Sequence, residues 1–371
     1  MSDVITNYFL NAQLSQAAYA DLSKEGLTPE EYIAALREAG MILSQAEDFV
    51  STYEIIDHLP NTDPEGFSAT IFKNKETGEY TFAVRGTEPT SPADWATNFG
   101  DIGGDGIAIA QSLDMYNYYL RLTAHNGENV LQFAYDQDQE QLYLDYVTAQ
   151  EDGLLVDQNF TVTGHSLGGH LAMVLSRLAP NTVDGVYTYV APGFDPASTN
   201  PDPGSEWFFT ELRDAEVAIQ GQSDILGYFD TNKMNHLVVP GDAIHTIGLV
   251  PGEQLYQFSE QEKEGIYDAH KKSELTDALA VYDLLGAIDS NLNSKMPEVL
   301  EIFRAVSNSK AGTLETIVNT LSPLFPDAGA VEVTIGDRDA LYSETGKLKQ
   351  EIALFPSMQI VSLVTEDANG N

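Results

Sequence analysis

The spacing of apolar side chains changes period several times along this chain, and each change marks an expected element. Residues 1–40 carry Val4, Ile5, Tyr8, Phe9, Ala12 and Ala18 at helical spacing, on roughly one face. Thr28-Pro29-Glu30-Glu31 is a helix start, with a threonine cap ahead of a proline at the first helical position. Phe67 to Lys73 and Tyr80 to Val84 read as two strands around the turn Asn74 to Glu79. Residues 111–125 and 136–151 read as helices. Phe160 to Thr163 is a short β-branched strand, followed by a helical pattern through Leu171, Ala172, Val174, Leu175 and Leu178. Val183 to Ala191 and His236 to Val239 are further strands.

Strands alternating with helices over residues 67–245 predict an α/β fold, a mostly parallel sheet covered by helices on both faces. A long insertion at 195–234 is rich in Pro, Gly and Asp and carries Trp207, Phe208 and Phe209. Beyond residue 270 the pattern becomes helical, with two β-like pieces at Val331 to Ile335 and Met358 to Val364 and a polar, loose tail from Thr365 to Asn371. The expected division is a catalytic domain over 1–275 and a largely helical appendage over 276–371. No internal repeat occurs.

One turn concentrates chemistry. Gly164-His165-Ser166-Leu167-Gly168 lies between the strand at 160 and the helix that follows, the spacing of a G-x-S-x-G nucleophile elbow. A serine at a sharp strand-to-helix turn needs neighbours without bulk on either side, and Gly164 and Gly168 meet that need. The Leu167 amide then points over Ser166 Oγ from the positive end of the helix, where it can hold an oxyanion.

A serine hydroxyl needs a histidine base, and the histidine needs a carboxylate. Around such an elbow the partners follow in the order serine, acid, histidine. Asp242, in the turn after the strand His236 to Val239, lies at the carboxyl end of a sheet strand, where the sites of open α/β sheets gather. Asp224 is the fallback acid. His58 and His125 precede the serine, His165 and His170 belong to the elbow, and His236 lies within a strand. His245, three residues beyond Asp242, would have to fold back on its neighbour, which leaves His270 as the expected base. The second oxyanion donor is expected in Arg85-Gly86-Thr87 at the end of an earlier strand, with Thr87 as the donor and Gly86 allowing close approach.

Phe82-Ala83-Val84-Arg85-Gly86-Thr87, then Asp94-Trp95 with Asn98 downstream, then Gly164 to Gly169, together resemble the class 3 lipases. The resemblance covers roughly 65–275. It implies a fungal-lipase-like α/β-hydrolase fold, Ser166 as nucleophile, Asp242 as acid, His270 as base, and Thr87 and Leu167 as oxyanion donors. Gly241-Asp242-Ala243-Ile244 is similar to the family's aspartate turn. It further implies an acylglycerol or phospholipid ester as substrate, met at an interface, with no cofactor and no metal. A phospholipase A1, a soluble-substrate esterase and a non-catalytic hydrolase-like module are the alternatives. Pro89, Pro92, Trp95, Phe99, Ile102, Ile107 and Ile109, hinged by glycines within 89–110, suit either a lid over an acyl-binding cleft or plain core anchors.

Charge narrows the partners. The 371 residues hold 18 Lys and Arg against 57 Asp and Glu, a net charge of −39. Such a field repels nucleic acid and anionic membrane surfaces. The absence of cysteine excludes disulfides, thiol catalysis and thiolate metal sites. No apolar run is long enough to span a bilayer, and Met1 to Tyr8 has neither a basic nor an apolar signal region. Acidity with no cysteine fits export without a cleaved signal, or a salt-rich cytoplasm. Oligomeric state is not legible.

Overall fold

The structure is a computed structural model that describes residues 4–23, 26–60, 66–86, 100–136, 139, 141–195, 204–239, 241–256, 272–295, 300 and 312–355. Its centre is a seven-stranded sheet in the order β1-β2-β3-β6-β7-β8-β9. These strands are β1 (Tyr53–Leu59), β2 (Ala69–Asn74), β3 (Tyr80–Val84), β6 (Phe160–His165), β7 (Val183–Tyr189), β8 (Met234–Val238) and β9 (Gln254–Tyr256). The first three run antiparallel, and from β3 onward every pair is parallel. This is an α/β-hydrolase fold with a mostly parallel central sheet.

Period-two alternation decides which helices cover which face. Phe82, Val162, Val186 and Met234 are paired in register across four strands, and all four belong to one core cluster. Against that face pack α4 (Gly100–Asp105), α5 (Ile109–Thr123), α6 (Leu167–Leu178) and α7 (Gly204–Gln220). Phe72 and Ala83 point the other way, into a second cluster with side chains of α1 (Val4–Ala17), α2 (Pro29–Glu38) and α3 (Leu43–Thr52). The α2 start is a full capping box: the Glu31 amide donates to Thr28 Oγ1 and the Thr28 amide to Glu31 Oε2. The expected single apolar face of α1 gives way to burial of every residue from Asn11 to Ala20, including Gln16.

Two expectations are corrected, and the 195–234 insertion proves to carry a helix. Residues 136–151 are not a helix. They belong to a separate antiparallel hairpin of β4 (Asn129–Asp136) and β5 (Gln141–Thr148). Leu142 and Leu144 alternate inward there while Tyr143 and Asp145 face out, a period of two that the dense polar residues disguise. The 195–234 insertion carries α7, whose Phe208, Phe209 and Leu212 are fully buried. Val331 to Ile335 forms no strand. The Asn319 side chain takes both backbone groups of Val333, accepting from its amide at 2.7 Å and donating to its carbonyl at 2.8 Å, so no neighbouring strand is needed. Met358 to Val364 and the polar tail lie outside the described residues.

The described residues group into two compact units, one of 11–256 and one of 4–10 with the residues from 273 onward. The second unit contains α8 (Lys272–Ile288), α9 (Thr313–Leu321) and α10 (Arg338–Ile352). Arg338 grips Asp277 with two hydrogen bonds, and Asp283 takes both Lys349 and the Thr6 hydroxyl. Among the described residues no helix is long and apolar enough to cross a membrane.

Candidate active site

Ser166 sits between the last residue of β6 and the first of α6, with φ 58° and ψ −131°. An L-residue at positive φ is strained, on the order of 1–3 kcal/mol, and persists only where its surroundings fix it. Those surroundings are glycine backbones in contact. A Cβ on Gly164 would lie 2.2 Å from the Gly168 carbonyl, and one on Gly168 would lie 2.3 Å from Val84 O and 2.9 Å from Gly86 N. Gly169, which the motif does not require, is as constrained: its Cβ would fall 2.6 Å from Ala191 Cβ. The elbow therefore presses directly on the end of β3.

The Ser166 amide donates to Tyr189 O at 2.9 Å, and the next residue, Val190, is itself strained at φ 46°. Ser166 is fully buried, and among the described residues its Oγ has no hydrogen-bond partner. A buried hydroxyl without a partner forgoes a stabilising contact, a feature expected of a poised nucleophile. Leu167 opens α6, so its amide is one of the helix-terminal donors with no intrahelical acceptor. An ideal Cβ on Gly86 would stand 3.2 Å from Ser166 Cβ, which brings the loop after β3 beside the serine. Thr87 itself lies outside the described residues.

Asp242 follows β8 through Gly241, which has φ 88°. It is buried, and its Oδ1 accepts from the amides of Ile244 at 2.6 Å and His245 at 3.0 Å, at the start of a 3-10 turn at Ile244–Thr246. That turn brings His245 Nδ1 to 3.5 Å from Asp242 Oδ1. The fold-back that sequence spacing disfavours reaches ion-pair distance only, and among the described residues His245 Nδ1 makes no hydrogen bond. His270 lies outside the described residues.

The fallback Asp224 is not brought to the serine. It lies near Glu216 and Tyr116, and two residues on the Leu226 amide bonds to Arg177 O in the last turn of α6. That is roughly 16 Å along the helix from Ser166.

The other histidines are held elsewhere. His236 Nδ1 meets Thr188 Oγ1 at 2.6 Å and its Nε2 meets Pro251 O at 2.7 Å. His170 Nε2 accepts from the Ala108 amide at 3.3 Å while Nδ1 faces Gly193 O at 3.1 Å. Burial lowers both imidazoles to about 4. His58 bonds Thr70, and burial lowers it as well. His125 is exposed.

The lid expectation divides. Ile102, Ile107 and Ile109 are buried core residues, and the Asp195 amide donates to Gly106 O at 3.2 Å. That half of the segment is anchored, not a cover. Residues 89–99, with Trp95 and Phe99, lie outside the described residues.

A strained serine at the crossing from a parallel strand into a buried helix defines the class, an α/β-hydrolase. Residues 81–184, from β3 through α6 to the start of β7, match the family described as Lipase (class 3). That stretch is similar to the class 3 lipases, and the match supports a carboxylic ester hydrolase acting on lipid in general terms.

Among solved structures, the Lip2 lipase of Yarrowia lipolytica is 16% identical, over 69% of this chain and 79% of that one, with a TM-score of 0.36. A nonglycosylated form of the same lipase is 16% identical over 70% and 82%, at 0.37. Scores this low add nothing to the fold, which stands on strand order and elbow geometry. No curated protein matches the chain.

Proposed function

We propose that this protein is a serine-dependent lipase that hydrolyses acylglycerol esters through an acyl-enzyme. The observation that carries the reading is Ser166: strained at φ 58°, at the head of a buried helix, with an Oγ that has no partner among the described residues. Ser166 attacks the ester carbonyl and passes its proton to the histidine. Leu167 and Thr87 hold the oxyanion, and water then releases the acyl group by the same route. Asp242 orients the base, which is His270 by chain order and by the family resemblance. The 3.5 Å approach of His245 to Asp242 favours a second reading in which His245 takes that part.

Because Ser166 is fully buried, substrate reaches it only when the chain over it opens. Opening that exposes apolar surface is favoured at a lipid interface. Turnover of a long-chain ester then rises where its concentration passes the solubility limit. A smooth hyperbola across that limit, with acetyl esters preferred, points instead to a soluble-substrate esterase. Phosphatidylcholine cleaved at its first position in preference to triacylglycerol makes the enzyme a phospholipase A1.

The decisive test is labelling by a fluorophosphonate. Wild type takes the label at Ser166, and Ser166→Ala loses both label and turnover, by about 10⁵-fold or more. An unlabelled wild type leaves a non-catalytic module. The charge of −39 and the lack of cysteine support export from the cell. Recovery of the native protein from cytosol alone favours the salt-rich cytoplasm.

A further inference from the structure

The two backbones that meet at the elbow share one side chain from far away in the sequence. Tyr19 follows α1 and is buried. Its hydroxyl lies 3.0 Å from His165 Nδ1, one hydrogen bond whichever ring tautomer is present, and 3.5 Å from His165 O. The two rings meet edge-on with centroids 6.0 Å apart. The same hydroxyl stands 2.4 Å from where a Cβ on Gly86 would be, and Arg85 Cζ sits 5.7 Å over the Tyr19 ring. One phenol therefore touches His165, immediately before Ser166, and the Arg85-Gly86 loop, immediately before Thr87.

These contacts are more than packing. Gly86 and Ser166 approach so closely that no side chain fits at position 86: its Cβ would also lie 2.3 Å from His165 O. The β3 loop has no side chain of its own to hold it against the elbow there. A rigid neighbour must fix the gap, and an error of a few tenths of an ångström moves an oxyanion donor off its target.

We propose that Tyr19 is a positioning residue of the oxyanion hole, setting the distance between the elbow and the loop that ends at Gly86. It acts through His165 and Gly86 and touches no reacting atom. The inference rests on the serine hydrolase reading above.

The test is Tyr19→Phe, which removes one oxygen and keeps the ring. Its kcat falls about tenfold with KM within about twofold, because transition-state geometry is lost and ground-state binding is not. Affinity for phenylboronic acid, which forms a tetrahedral adduct on a catalytic serine, falls by the same factor, while the thermal midpoint stays near that of wild type.

His165→Leu, which removes the ring partner, produces a similar loss. The double variant costs no more than either single one, since both break the same contact. A kcat within about twofold of wild type in Tyr19→Phe overturns the inference, as do full additivity in the double variant and a loss confined to KM. If wild type shows no turnover that depends on Ser166, the hydrolase reading falls and takes this inference with it. If wild type turns over and Tyr19→Phe is unaffected, only this inference falls.

Discussion

The two ends of α6 are built on opposite terms. At its amino end Ser166 is strained, its Oγ has no partner among the described residues, and glycines let three backbone segments crowd together. At its carboxyl end Arg177 is as buried as Ser166, yet well supplied with partners. Its guanidinium bonds Glu206 at 2.6 and 2.7 Å, its Nε donates to Leu226 O at 2.9 Å, and its face lies 3.9 Å from the Phe209 ring. Strain at one end of a rigid helix is tolerable because the other end is locked. Unused hydrogen-bonding capacity collects at the Ser166 end and redundancy at the Arg177 end.

The largest effect separates the candidate bases. Asp242→Asn keeps an oxygen for the Ile244 and His245 amides, so the turn survives, but the base is held in the wrong tautomer. Turnover is expected to fall about 10⁴-fold. His270→Ala should be comparably damaging and His245→Ala mild; the reverse order in steady-state kinetics assigns the base to His245.

Next comes the crowding itself. Gly168→Ala would drive a methyl to 2.3 Å from Val84 O. Denaturant unfolding should register a loss of about 3 kcal/mol or more, with activity falling in the folded fraction too. A stable, fully active Gly168→Ala would mean that the elbow does not need this contact.

Arg177→Met tests the other end. It leaves Leu226 O without its charged donor and removes the planar group from Phe209, for an expected loss of about 2–4 kcal/mol. Glu206, on the exposed side, rehydrates. Activity per folded molecule should stay at the wild-type level, in contrast with any change at the amino end.

The smallest effect is in pH. His170 and His236 sit near 4 when folded because burial disfavours the imidazolium. An unfolded histidine titrates near 6.5, so between those values the unfolded chain binds more protons. Stability therefore holds above about 6.5 and is lost as pH falls toward about 4. His170→Gln, which can still accept from the Ala108 amide, should flatten part of that slope in unfolding midpoints measured across the window. An unchanged slope removes His170 from the account.

Much of this arrangement is legible residue by residue. The β3 and β6 strands are visible because β-branched and aromatic residues cluster between turn residues, and the elbow because a serine at positive φ demands Gly164 and Gly168. Asp242 could be placed because a turn after a strand puts its side chain at the sheet's carboxyl end. The β4–β5 hairpin was obscured because a mostly exposed strand such as β5 has few apolar positions from which to read a period.

Local sequence determines local things here: which segments extend or coil, where backbone must run without a side chain, and which serine is held at positive φ. These follow from sterics and periodicity within a few residues. Only the tertiary structure decides which distant groups meet. Tyr19 stands against His165 and Gly86 across 146 residues of chain between the two ring partners. The Ala108 amide occupies His170, and a 3-10 turn folds His245 back onto Asp242. Contacts of that kind depend on the sheet's order and on helix packing across its two faces, and no spacing along the chain encodes them.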